Sequence, residues 1–260
     1  MSKLSIIIPV LNEAENIIKL LNHLLINADK ENISEIIIVD GGSDDDTQNI
    51  IKAFVSGRAQ SRPIKNLSTA LRQALYDTLE KTGILLLNST KGRAKQMNAG
   101  AKKASGNILY FLHADSFPPK HFDRLIIKEV ENGNQAGCFR MKFNSNHWWL
   151  QLAGWFTKFS WRMARGGDQS QFITKSLFND IGGFDERFTI YEDNDLISKL
   201  YKRKQFVVIQ EWLTTSSRCY CTNGVWKLQF HYWNIHLKKW FGADADTLNQ
   251  YYLKHVHVKK

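Results

Sequence analysis

Four short stretches carry residues whose types and spacing suit chemistry on a phosphorylated ligand. The first begins at Pro9-Val10-Leu11-Asn12-Glu13 and is completed by Val39-Asp40-Gly41-Gly42-Ser43. An Asp followed by two glycines puts a carboxylate at a strand tip, where it can accept hydrogen bonds from a ribose or a base N–H, while Gly permits close backbone approach. Asp44, Asp45 and Asp46 read as the acidic start of a helix, with Ser43 or Asp44 as its cap. Asp40 has capping as its competing role. The second stretch is the basic run Lys91-Gly92-Arg93-Ala94-Lys95-Gln96-Met97-Asn98. Basic residues at a helix start are unfavourable unless an anion is bound there. With the free amides they make a phosphate cradle, the alternative being a solvated basic surface. The third is Leu112-His113-Ala114-Asp115-Ser116. Asp115 can hold a divalent cation that bridges two phosphates, or can shape the turn before Pro118-Pro119. The fourth is Tyr191-Glu192-Asp193-Asn194-Asp195, where closely spaced acids offer a general base or caps for a helix over Leu196–Lys202. Asp193 reads as the base and Asp195 as the cap.

These stretches need elements that bring them to one place. Leu4–Val10, Glu35–Val39, Ile84–Leu87 and Asn107–Leu112 are short apolar runs of the kind buried on both faces of a parallel sheet. Helical patterns lie between them over Glu13–Leu25, Asp45–Phe54 and Ala94–Lys103. Strand and helix in alternation predict an α/β fold of doubly wound type. Ligands of such sheets sit beyond the carboxyl ends of the strands, which is where the candidate residues fall. Leu67, Leu71, Leu75 and Leu79 recur every four residues inside the long link Val55–Gly83 and predict an inserted amphipathic helix.

The second half has a different character. All eight Trp lie between Trp148 and Trp240. Trp148, Leu152, Trp155, Phe156, Phe159 and Met163 form one helical stripe, and Trp226, Phe230, Trp233, Leu237 and Phe241 another. Both read first as core. The alternative for the first is an interfacial helix, because Lys158, Arg162 and Arg165 interleave with its tryptophans. With no clear linker, the chain is expected to be a single domain over 1–260, with a nucleotide-binding half over 1–116 and an acceptor half with C-terminal helices over 117–260.

Composition narrows the function. The 260 residues are 43% hydrophobic and 23% charged, which excludes wholesale disorder. The net charge of +10 favours anionic partners such as nucleotides or an acidic membrane surface. No apolar run reaches the roughly 18 residues of a membrane span. The first residues lack a signal-peptide pattern, and three cysteines make no disulfide framework. A cytoplasmic protein is expected, possible at the inner face of a membrane. Cys219-Tyr220-Cys221 has no second ligand pair for zinc, and a P-loop signature is absent.

Taken together and in this order, the four stretches resemble the family 2 glycosyltransferases of GT-A fold, over about residues 4–204. Gly92–Asn98, Leu112–Asp115 and Gly166-Gly167-Asp168-Gln169, with the tail Trp233–Tyr252, are similar to a bacterial branch, the radical-SAM/selenodomain-associated or arsenosugar-biosynthesis glycosyltransferases. The resemblance implies a Rossmann-like, mostly parallel sheet flanked by helices, with aromatic-rich C-terminal helices. It implies inverting transfer of a sugar from a nucleotide-diphosphate sugar to an acceptor hydroxyl, small-molecule or lipid-like, with Mg²⁺ or Mn²⁺ and no nucleic-acid partner. Pro9 and Glu13 would line the nucleotide pocket, Asp40 would contact base or ribose, and Arg93 and Asn98 would hold the nucleotide. Asp115 would be the metal ligand, and Asp193 the general base with Glu192 beside it. The family's Asp-x-Asp motif is reduced here to His113-Ala114-Asp115, one carboxylate short. A sugar nucleotidyltransferase, or a non-catalytic module for anionic lipid or nucleic acid, is the rival reading.

Overall fold

The computed structural model describes residues 2–56 and 83–256. The inserted helix expected over Leu67–Leu79 lies outside the described residues. Eight strands, β1 (Leu4–Val10), β2 (Ile33–Asp40), β3 (Gly83–Asn88), β4 (Ile108–Phe111), β5 (Ser116–Phe117), β6 (Ala136–Phe143), β7 (Gln171–Thr174) and β8 (Val207–Thr215), form one sheet. Its order is β3-β2-β1-β4-β7-β6-β8-β5. The β3-β2-β1-β4 half is parallel, as the apolar runs predicted. Beyond β4 the sheet is mixed, because β7 runs antiparallel to both β4 and β6 while β8 is parallel to β6. The chain thus has an α/β fold with a large, mostly parallel sheet.

Helices α1 (Ile17–Asn27), α2 (Thr47–Val55), α3 (Arg93–Lys103) and α4 (Phe122–Glu131) flank the first half. The second half carries α5 (Trp148–Phe156), α6 (Lys175–Asp180), α7 (Glu192–Lys202), α8 (Arg218–Asn223), α9 (Val225–Trp240) and α10 (Ala245–His255). Alternation along β1 sorts the core. Ile6 and Ile8 pack with Leu20, Leu21 and Phe122 on one face, and Ile7 packs with Met97, Phe111 and Phe178 on the other. On that second face a Cβ at Gly100 would lie 2.5 Å from Ile7 Cγ2, so Gly here is what lets α3 lie close on β1. A small third cluster of Phe188, Ile235 and Leu248 fastens α9 and α10 to the loop before α7.

Three boundaries differ from expectation. Helix α1 starts at Ile17 rather than Glu13, because Asn12 turns the chain with φ 57° and its side chain bonds across to Asp44. Helix α7 starts at Glu192 rather than Leu196, which places Asp193 and Asp195 inside its first turn. The Trp148–Met163 stripe is not one helix: α5 stops at Phe156 and a short 3₁₀ turn follows at Arg162–Ala164.

Candidate active site

The tips of β1 and β2 are held together by their own side chains. Asn12 N donates to Ser43 Oγ at 2.9 Å, Asn12 Nδ2 to Asp44 Oδ1 at 2.6 Å, and Asp44 N back to Asn12 Oδ1 at 3.0 Å. The N-cap of α2 is Asp46, rather than Ser43 or Asp44, and just before it Asp45 Oδ1 accepts from Thr47 N at 3.0 Å. Gln96, from the basic run, reaches under both strands and donates to Val10 O and Val39 O, each at 2.8 Å.

Asp40 is fully buried. Its carboxylate accepts from Gly42 N and Ser43 N at 3.0 Å, from Gln48 Nε2 at 2.7 Å, and from the Ser43 hydroxyl. Burial alone would raise it, but these hydrogen bonds outweigh burial and hold it below the ordinary carboxylate range. In this structure the carboxylate shapes the turn, with Oδ2 taking three of these bonds and Oδ1 that of the Ser43 hydroxyl. Asp40→Ala strands several donors, at about 1–3 kcal/mol for a buried group left unmatched. A lowered melting temperature checks it, and an unchanged one contradicts the role. Pro9 is likewise buried in β1, paired with Val39 past the end of β4, where a missing N–H costs no ladder bond on that side.

At the tip of β4, His113 and Asp115 face Glu13 and Arg218. Arg218 Nη2 lies 2.8 Å from Glu13 Oε1 and 3.8 Å from Asp115 Oδ2. Glu13 also accepts from Asn16 Nδ2 at 2.6 Å. Burial pushes the Asp115 carboxyl up, only partly offset by His113 and Arg218. Burial first, then the Arg93 charge, hold the His113 imidazole down at about 4. His113 is therefore neutral at pH 7. An under-compensated carboxylate beside a neutral imidazole fits a divalent cation. Among the described residues no group of three or more His, Cys, Asp or Glu forms a self-sufficient cage.

The start of α7 supplies the opposite wall. Tyr191 precedes it in the left-handed region with φ 74°, so that Glu192 and Asp193 turn inward. Glu192 is fully buried, with its Oε1 2.7 Å from Arg93 Nε. It holds Arg93 in place. Asp193 stays 9% exposed and its Oδ1 accepts from Asn194 N at 3.1 Å. Asp195 is not the cap: it pairs with Lys199 one turn on, at 3.0 Å. Asn98 Oδ1 accepts from Phe184 N at 3.1 Å and its Nδ2 donates to Phe184 O and Glu186 Oε1, each at 2.9 Å, so it fastens α3 to the loop after Gly182.

Glu192 carries a pH dependence. Burial raises its carboxyl, against the pull of Arg93, to about 7 from an ordinary 4.5. Between these values the native chain keeps a proton that the unfolded chain has lost, so stability falls as pH rises through the window and is level above it. Glu192→Gln removes that slope. Melting temperatures of both proteins across the window test it, and parallel curves refute it.

Two residues outside the expected set belong here. Arg218 is one. The other is Asp168, noted only within the Gly166–Gln169 stretch. Its backbone O accepts from Ser116 Oγ at 3.5 Å. The Asp168 side chain is exposed, within electrostatic reach of Arg93 and Asp193. Desolvation raises its carboxyl, Arg93 opposes and Asp193 adds to the rise. Tyr220, Tyr232 and Tyr252, from α8, α9 and α10, are raised by burial first and also feel the Asp168 charge. The C-terminal helices thus close one side of the cleft. Neither signal was local: Arg218 meets Glu13 across most of the chain.

The model of the family described as Glycosyl transferase family 2 matches residues 5–191. The chain belongs to that family. Glycosyltransferase AglE of Haloferax volcanii is 38% identical over 114 residues, 44% of this chain and 31% of that protein. An undecaprenyl-phosphate 4-deoxy-4-formamido-L-arabinose transferase of Proteus mirabilis is 24% identical over 80% of this chain and 55% of its own length. The chain therefore spans about a third to just over half of these curated relatives. Among solved structures, S. aureus TarS 1-349 in complex with UDP aligns with a TM-score of 0.62 at 20% identity, over 82% of this chain and 60% of that one. The mannosyltransferase PcManGT of Pyrobaculum calidifontis, in complex with GDP-Man and Mn²⁺, aligns at 0.64 and 16% identity, over 97% and 70%. These likenesses agree with a GT-A fold.

Proposed function

We propose that the chain transfers a sugar from a nucleotide-diphosphate donor to an acceptor hydroxyl in a single displacement with inversion. The observation that supports this most is geometric: Arg93, at the start of α3, pairs with Glu192 at 2.7 Å, so the anion-binding helix start meets the start of α7 that carries Asp193. Arg93 and the free amides at the start of α3 bind the diphosphate. Asp115 is the ligand for Mg²⁺ or Mn²⁺, which when bound supplies charge stabilisation to the departing diphosphate. Asp193 takes the acceptor proton as the hydroxyl attacks from the face opposite the leaving group. Asp168 lies between the two ends, where the transferred sugar must pass. Tyr220, Tyr232 and Tyr252 keep water from that side.

The acceptor is a small or lipid-like alcohol, and the work is done in the cytoplasm. The stretches Gly92–Asn98, Leu112–Asp115 and Gly166–Gln169 support placement in the radical-SAM/selenodomain-associated branch. Incubation with UDP-glucose, UDP-N-acetylglucosamine and GDP-mannose, each with Mn²⁺, tests the reading through release of UDP or GDP to water. Pyrophosphate formation from a nucleoside triphosphate and a sugar phosphate would favour a nucleotidyltransferase. Binding without turnover, across acceptors, would favour the non-catalytic module.

A further inference from the structure

Two helical stripes that periodicity assigned to a core are on the surface. Met163 is 97% exposed, Trp240 80% and Phe241 78%, and Trp148, Trp155, Trp161, Trp226, Phe230 and Trp233 are all exposed as well. They are not scattered. The ring of Trp226 on α9 lies 5.7 Å from Trp148 and 5.3 Å from Trp149 on α5, and Trp149 is 6.0 Å from Trp233. At the end of α5 and in the turn after it, Trp155, Phe159 and Trp161 form a second group, with centroids 5.2 and 4.7 Å apart. Contiguous exposed apolar patches of this kind mark binding surfaces on soluble proteins.

Charge decides the occupant. No acidic residue occurs from Trp148 to Gly167, nor from Trp212 to Ala243. Of the cations on these tracts, Arg162 and Lys227 are exposed and Lys158 is half-buried, whereas Arg165 is buried and Arg218 belongs to the candidate site. Lys158 Nζ sits 3.8 Å from the Trp155 ring centroid. A second copy would bring the same positive, acid-free face against itself. An anionic bilayer meets both features: tryptophan rings suit the headgroup level, and lysines suit acidic phosphates. Among the described residues no helix is long and apolar enough to cross a membrane, so contact would be from the side.

Helix α9 joins this face to the cleft. Trp226, Phe230 and Trp233 point out, while Leu228 and Ile235 are buried and Tyr232 feels Asp168. We infer that the surface of α5, the turn after it and α9 docks on anionic lipid and so places the open cleft beside a lipid-borne acceptor. The acceptor clause rests on the transferase reading, whereas the docking clause does not.

Sedimentation of the full chain with phosphatidylcholine vesicles, with and without phosphatidylglycerol, tests the docking without any nucleotide. The expected result is capture by the anionic vesicles, much less by the neutral ones, and release as salt is raised. Trp240→Ser with Phe241→Ser removes two exposed rings outside the cleft. It should lower partitioning by ~10-fold or more, with unchanged melting temperature and nucleotide-sugar hydrolysis. Lys227→Glu, at an exposed position beside Trp226, should lower it by about fivefold. A chain that stays in the supernatant with anionic vesicles overturns the inference. So does a dimer in solution that Trp240→Ser and Phe241→Ser dissolve, since the face would then belong to a second copy. If docking holds while no nucleotide sugar is turned over, the fault lies with the catalytic reading alone.

Discussion

Asp193→Asn should leave nucleotide-sugar affinity nearly intact and lower turnover by roughly 10²–10⁴-fold, the usual weight of general acid–base catalysis. The substitution isolates the chemistry. Asp193 uses Oδ1 to accept from Asn194 N, and an Asn side chain keeps an oxygen for that bond. Its neighbours at the start of α7 do other work, Glu192 gripping Arg93 and Asp195 pairing with Lys199. Asp195→Asn therefore forfeits a surface pair of about 0.3–0.5 kcal/mol and little activity. Initial rates and melting temperatures of both variants, against one identified acceptor, separate these roles. An active Asp193→Asn beside a dead Asp195→Asn would move the base two residues along the helix.

Asp115→Ala is the second large effect. The expected result is loss of Mn²⁺-dependent binding of UDP or GDP, on the order of 10²-fold or more, because a cation clamp on phosphate is worth several kcal/mol. Folding should survive. The Asp115 backbone O still accepts from Ser216 N at 3.2 Å, and the side chain's nearest cation, Arg218, is 3.8 Å away and keeps Glu13 as partner. Calorimetry with and without metal gives the answer, and unchanged affinity in Mn²⁺ would free Asp115 of the role.

Much of this was legible before any coordinates. Leu4–Val10 is a strand with the bounds its apolar run suggested, and its Ile6/Ile7/Ile8 alternation serves two cores. The second half of the sheet was less legible, since β7 and β5 are too short to show a period. Residue type at a strand tip located the site but not each side chain's duty. Asp40 and Asn98 also carry structural bonds, to the turn after β2 and to the loop after Gly182, that their residue types did not announce. Asp168 and Arg218 act through contacts distant in sequence, which no local spacing encodes. The tryptophans mark the limit of periodicity itself. A stripe tells which residues share a face, and says nothing of whether another element covers it.

The double clasp made by Gln96 bears on entropy. One amide ties the ends of β1 and β2, and the same helix carries Arg93 in its first turn. The nucleotide turn and the anion-binding helix start are therefore set at a fixed spacing before any ligand arrives. A donor that fits need not spend its binding energy ordering them, so more of it remains for the transition state.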